Sequence, residues 1–150
     1  MISVNVEVGS KPWLKKIKNP QKYFSRKLKK ISKNIKFFKE KNITFTILLT
    51  NSKKMKKLNK KFRKLNKSTD VLSFPSFSFK NLKLVKEKKI YIGDVAISYE
   101  IINSRSEKNF LIEFDKVWIH GLLHLIGYDH IKNRDYNKMY RTEKRILSSI

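Results

Sequence analysis

The sequence predicts an α+β fold, a small mixed sheet of about four strands packed by helices in one domain over residues 1–150. Three observations predict it. Four segments alternate apolar and polar residues, or run apolar, at strand length. Longer segments between and after them carry apolar residues at helical spacing, with lysine opposite. The order of the two kinds is β-α-β-α-β-β-α-α-α, without an internal repeat or a low-complexity linker. At 150 residues the chain is long enough for one real core.

Each element has a local reason. Ile2, Val4 and Val6 alternate with Ser3, Asn5 and Glu7, which half-buries a first strand. Residues 9–18 read as loop. Asn19-Pro20 opens a helix, Asn as cap and Pro at the first helical position. Phe24, Leu28, Ile31, Ile35 and Phe38 continue it as a core-facing stripe. Ile43, Phe45, Ile47 and Leu49 make the second strand. Asn51 or Ser52 caps the next helix. Its stripe is Met55, Leu58, Phe62 and Leu65, ringed by lysines, and Arg63 is its only arginine. After a polar loop, Val71 to Phe74 is the third strand. Pro75 lacks a donor, which places that strand at an edge or ends it there. Residues 77–89 read as loop or irregular arm. Ile90 to Ile97 is the fourth strand, and Ser98 caps a short helix. After a break over residues 107–110, a helix runs from about Leu111 to Ile126, with Phe114, Val117, Trp118, Leu122 and Leu125 towards the core. Tyr136, Met139, Ile146 and Leu147 mark a last amphipathic helix.

Composition narrows the function classes. The formal charge is +24, and it is uneven. Residues 1–90 hold 27 Lys and Arg against 4 Asp and Glu, whereas residues 91–150 hold 9 against 8. The basic part is a candidate footprint for nucleic acid. Lysine makes up 30 of the 36 basic residues, which an AT-biased genome also produces, so this inference is compositional. There is no cysteine, hence no disulfide and no thiolate metal site, which fits a reducing cytosol. The first ten residues lack a basic n-region and contain Glu7, so they do not read as a signal peptide. The longest apolar run, Ile43 to Leu49, is too short to span a bilayer.

The chemistry concentrates in HGLLHLIGYDH, His120 to His130, which holds all 3 histidines of the chain. His120 and His124 are one helical turn apart and share a face. Gly127 suits the left-handed conformation that ends a helix and turns the chain back, bringing His130 towards them. Three neutral imidazoles with a fourth position open make a catalytic zinc site, one ion per chain. The spacing is also that of metzincin peptidases, whose second motif position is the Glu that takes a proton from the zinc-bound water. Gly121 stands there and cannot.

This block resembles the signature HGxLHLxGYDH of the YbeY endoribonucleases, the rRNA maturation factors, which His120 to His130 fits throughout. Ser68 to Pro75, STDVLSFP, is similar to the family's TDVLSFP block. Ile92 to Ser98, IGDVAIS, is similar to its GDI/V-x-IS strand. The resemblance runs from about Leu58 to the C-terminus. The first fifty residues agree only in element order.

The resemblance implies a zincin-like mixed sheet and a zinc-dependent, single-strand-preferring endoribonuclease in the cytoplasm. Its implied substrate is ribosomal RNA, including the small-subunit 3′ end, with a part in ribosome quality control. It also implies a catalytic Arg63. The family pattern LN-x2-(Y/F)-R matches LNKKFR, Leu58 to Arg63, although by its residue type alone Arg63 reads as a solvated helix residue. Asp129 either orients a ligand or caps a turn. Asp70 and Asp94 read as turn, strand-end or cleft residues, and Trp118 as core. One departure is Met139-Tyr140, where the family carries Met-Glu; Glu143 is kept. Two rival functions remain, a zinc peptidase, against which Gly121 counts, and a non-catalytic RNA-binding protein with structural zinc. Imidazole donors suit nickel as well.

Overall fold

In the computed structural model, which describes residues 1–150, the alternating segments form one four-stranded sheet. The strands are β1 (Ile2–Val8), β2 (Asn42–Thr50), β3 (Val71–Pro75) and β4 (Lys89–Ser98), in spatial order β1-β2-β4-β3. β1 and β4 each pair parallel with β2, while β3 pairs antiparallel with β4. The sheet is therefore mixed, and the Pro75 strand lies at its edge as its missing donor requires. The helices are α1 (Pro12–Lys16), α2 (Pro20–Ile31), α3 (Lys36–Glu40), α4 (Ser52–Arg63), α5 (Phe79–Leu84), α6 (Tyr99–Arg105), α7 (Phe110–Leu125) and α8 (Asn133–Leu147).

One face of the sheet holds the main core. Ile43, Phe45, Ile47 and Leu49 of β2 pack there with Phe24, Leu28 and Ile31 of α2 and Phe114, Trp118 and Leu122 of α7. The other face is thinner: Met55 of α4 covers Leu72 and Ala96. Phe62 and Leu65, read from spacing as part of the α4 stripe, remain 55% and 45% exposed, although the Phe62 ring packs on that of Phe74 in β3 with centroids 5.0 Å apart. The alternation in β4 changes phase midway, with Ile90 and Ile92 buried and then Val95 and Ile97. A bulge does this where Thr44 pairs with Tyr91 but Thr46 with Asp94. Gly93 sits in it at φ 130°, where a Cβ would come within 2.2 Å of the Phe74 carbonyl oxygen.

Three expectations are corrected. The loop read over residues 9–18 contains α1, whose Trp13 is fully buried and donates to the Thr50 carbonyl at 2.9 Å. The helix read from Pro20 through Phe38 stops at Ile31, and α3 follows a turn. Ile35 is extended there, so the chain returns Phe38 to the same core by a route that mimics helical spacing. Residues 77–89 contain α5, capped by Ser78 and anchored by buried Leu82. Of the caps, Asn19 and Asn51 accept backbone N–H groups as expected. Ser98 stands at its cap position, but its hydroxyl bonds that of Ser52 at 2.8 Å instead.

Buried Asp115 sets the rotation of α7. Its carboxylate accepts from the Tyr23 hydroxyl at 2.6 Å and the Trp118 indole at 2.8 Å, and pairs with Lys27 of α2. Burial first, then this carboxylate, pushes the Tyr23 phenol well above its usual range, which keeps it a donor. With Asp115 and Trp118 turned to α2, helical geometry puts His120 and His124 on the opposite side of α7.

Candidate metal centre

His120 and His124 lie in the last turns of α7, which ends at Leu125. The helix closes with Gly127 N–H donating to the His124 carbonyl at 3.1 Å and Tyr128 N–H to that of Leu123 at 3.0 Å. Gly127 is at φ 91°, and a Cβ there would meet the Phe79 ring at 2.1 Å. Only glycine gives both the turn and room for α5 on top of it. The turn brings His130 back, and ligand atoms of the three imidazoles lie within 4.8 Å of one another.

These residues fit a metal ion. His120 Nε2 and His124 Nε2 are 3.1 Å apart. Tetrahedral zinc with Zn–N bonds of about 2.0–2.1 Å needs nitrogen pairs about 3.3 Å apart. His120 Nδ1 lies 2.6 Å from Glu143 Oε1 of α8. With the Nδ1–H donated to that carboxylate, the lone pair of Nε2 is left for the centre. Burial, and then the neighbouring His120 and His130, lower the His124 pKa to about 4, so it is neutral and ligand-ready at physiological pH.

The imidazoles stand in a cleft of about 660 Å³, whose walls also include Arg63, Thr69, Asp70 and Ser73. Arg63 is the last residue of α4. The chain after it turns through Lys64 at φ 60° and is pinned by buried Asn59, whose side-chain amide donates to the Lys67 carbonyl at 2.9 Å. Asp70 caps its own strand, accepting from Val71 N–H at 2.8 Å, and pairs with Arg105 at 2.7 Å. Asp129 is a turn residue: its carboxylate accepts from His130 N–H at 2.7 Å. Asp94 lies in a different groove, on the other side of the sheet, where the Tyr91 hydroxyl donates to it. Trp118 is core, as read.

A family model described as Endoribonuclease YbeY matches residues 10–150. The chain belongs to the YbeY family. A protein from Pelagibacter ubique (strain HTCC1062) named Endoribonuclease YbeY is 46% identical over 155 residues, covering 100% of this chain and 97% of its own length. One of the same name from Caldicellulosiruptor bescii is 37% identical over 122 residues, 76% of this chain and 77% of that protein. The solution structure of TM1509 from Thermotoga maritima shares the fold, with TM-score 0.62 at 24% identity over 99% of this chain and 88% of that one. The resemblance read in the three motifs is thereby confirmed, as is the mixed four-stranded architecture. No helix is long and apolar enough to cross a membrane.

Two residues of this YbeY family member gain meaning only from packing. Gly121 is where α7 presses on the sheet: a Cβ would come 2.7 Å from Val95 Cγ1, 3.1 Å from Val71 Cγ2 and 3.3 Å from Ser73 Oγ. The Ser73 hydroxyl donates to its carbonyl at 2.9 Å. A glutamate in the metzincin position has no space here, which is the physical reason the peptidase base is absent. Gly121→Ala is expected to destabilise the protein by about 1–2 kcal/mol, overpacking outweighing the roughly 1 kcal/mol gained in helix propensity. A denaturant titration with an unchanged or raised midpoint would show that the sheet yields at no cost.

Glu143 is the other. The family resemblance marked it only as a kept acid in the last helix, and spacing could not pair it with His120, which is 23 residues away in sequence. Glu143→Gln keeps the shape and loses the charge. It is expected to weaken metal affinity by about 10–100-fold without unfolding the chain. Competition against a chromogenic chelator measures this, and wild-type affinity would mean that His120 needs no orienting carboxylate.

Proposed function

We propose that this chain, as one domain over residues 1–150, is a zinc-dependent endoribonuclease that prefers single-stranded RNA. Its place is the cytoplasm, in ribosomal RNA processing, including small-subunit 3′-end maturation and ribosome quality control. One observation carries the reading: three convergent imidazoles share a cleft with an arginine on a chain of charge +24. His120, His124 and His130 hold the ion. Zinc held there supplies Lewis acidity towards a phosphoryl oxygen and an acidified water at neutral pH.

The chain's own groups do the rest. Arg63 offers a planar, always-charged fork that binds a phosphate oxygen bidentately and steadies charge as it builds. Glu143 keeps the His120 lone pair aimed inwards. The lysines of residues 1–90 bind the RNA backbone. The open cleft favours catalysis over a purely structural ion, since structural zinc sites are closed by four protein ligands.

The test is cleavage of unpaired and duplex RNA by chelator-stripped protein, with and without restored zinc. Cleavage of unpaired RNA that returns with zinc is expected. Zinc-dependent cutting of unfolded protein without RNA cleavage would put the peptidase first. Binding of RNA without any cleavage would favour the non-catalytic rival. RNA affinity is also expected to fall steeply with salt, since lysine–phosphate contacts release counterions. A flat salt titration would return the lysine excess to genome composition.

A further inference from the structure

The exposed arc of α8 carries a feature that the metal centre does not use. Tyr136, expected from spacing to sit on an amphipathic helix with Met139 and Ile146, and Tyr140, which stands where the family carries Glu, are 53% and 44% exposed. Their rings are nearly parallel, with 6° between planes and centroids 6.2 Å apart. They stand seven and three residues before Glu143, so helical geometry places all three on one stripe. Glu143 holds His120, which makes that stripe end at the metal centre. Ile131, 82% exposed, lines the metal cleft and leads the chain from it into α8.

The stripe is bordered by cations. Lys144 Nζ lies 4.7 Å over the Tyr140 ring. Residues 132–150 hold 6 Lys and Arg against 2 Asp and Glu, whereas residues 91–131 hold 3 against 6. The positive charge of the C-terminal part of the chain is thus gathered around this helix. Two flat, solvent-exposed aromatic faces beside cations match an unpaired polynucleotide. Bases stack on the rings, and phosphates meet the Lys and Arg side chains. A duplex gains little there, because its bases already stack on one another. An acidic protein segment would use the charges and leave the parallel rings without a role.

We propose that Tyr136 and Tyr140 form a stacking platform for the unpaired strand of an RNA substrate, holding nucleotides that flank the one in the metal cleft. This rests on the endoribonuclease reading and adds a site outside the cleft, with a bearing on strand preference. The platform holds the strand and leaves the chemistry to the cleft, so it acts on substrate binding.

The experiment uses the full chain, first stripped with chelator, and measures binding of an unpaired oligonucleotide by anisotropy and by 2-aminopurine fluorescence. Tyr136→Ala and Tyr140→Ala are each expected to weaken binding roughly tenfold and to relieve quenching of the base. Tyr136→Phe and Tyr140→Phe retain the ring and are expected to bind as wild type. Both positions are about half exposed, and circular dichroism checks that each variant is folded. An abasic oligonucleotide is expected to bind all variants equally. With zinc restored, the Ala variants raise KM and leave kcat unchanged.

Wild-type binding by both Ala variants, or equal losses with the abasic strand, would overturn the platform and leave the nuclease reading standing. Tyrosine-dependent binding by a protein that cleaves no RNA would sink the nuclease reading and support the platform as an RNA-binding surface.

Discussion

His124→Ala is expected to lose stoichiometric zinc and to lower RNA cleavage by roughly 10³-fold or more, since several kcal/mol of charge stabilisation go with the ion. Two imidazoles remain, too few to hold zinc against water. The effect should be larger than for a surface ligand because His124 is central: its Nε2 is 3.1 Å from that of His120, and its ring centroid is 5.1 Å from that of His130. The fold should persist, because the core side of α7 is untouched. Elemental analysis beside a melting curve and a cleavage assay decides this. A folded variant that retains one zinc per chain would remove the centre from its proposed place.

Acid adds a second readout. In the metal-free folded chain the His124 pKa is lowered to about 4, chiefly by burial. Unfolded, the same group takes up its proton near its ordinary value of about 6.5. Between those values the unfolded state binds more protons, so the stability of the metal-free protein should fall as pH drops from about 6.5 towards 4. Above the ordinary value the contribution is fully present. Urea midpoints of metal-free wild type should show this slope, and His124→Ala should show less of it. Identical slopes would mean that His124 titrates alike in both states.

Arg63→Ala is expected to slow cleavage by about 10²–10³-fold, or about 2.7–4 kcal/mol, by analogy with the loss of one oxyanion donor. The structure brings Arg63 to the wall of the histidine cleft, and it takes part in none of the chain's salt bridges. Its guanidinium is therefore free for a substrate phosphate. Arg63→Lys keeps the charge without the fork and should not restore the wild-type rate. Zinc content and melting temperature should stay near wild type, since an exposed charge at a helix end adds little to stability. Wild-type rates in a folded, zinc-loaded Arg63→Ala protein would make Arg63 a solvated helix residue after all.

Much of this was legible in the residues, and the parts that were not share a cause. All four strands were readable from alternation or from short apolar runs, and Pro75 announced its edge position. α1 and α5 were missed because elements of 5 and 6 residues leave little periodicity to read. The helix expected through Phe38 failed for a different reason. Ile35 and Phe38 are buried at helical spacing, yet the backbone reaches them through a turn. Tyr136 matched an apolar stripe whose Met139 and Ile146 are buried, yet it stays 53% exposed itself.

The sequence by itself determined whatever lies within one helix and its closing turn. The one-turn spacing of His120 and His124, the left-handed bend at Gly127 and the return of His130 are all consequences of local backbone geometry. Charge and the absence of thiols were likewise composition, readable without a fold. Only the tertiary structure decided which distant groups meet that centre. Glu143 reaches His120 because α8 packs on α7, and Arg63 reaches the cleft because a buried Asn59 pins the loop behind it. Gly121 is required because α7 lies against the sheet at Val95 and Val71. Local periodicity holds no information about such pairings, since they depend on how whole elements bury their apolar faces against one another.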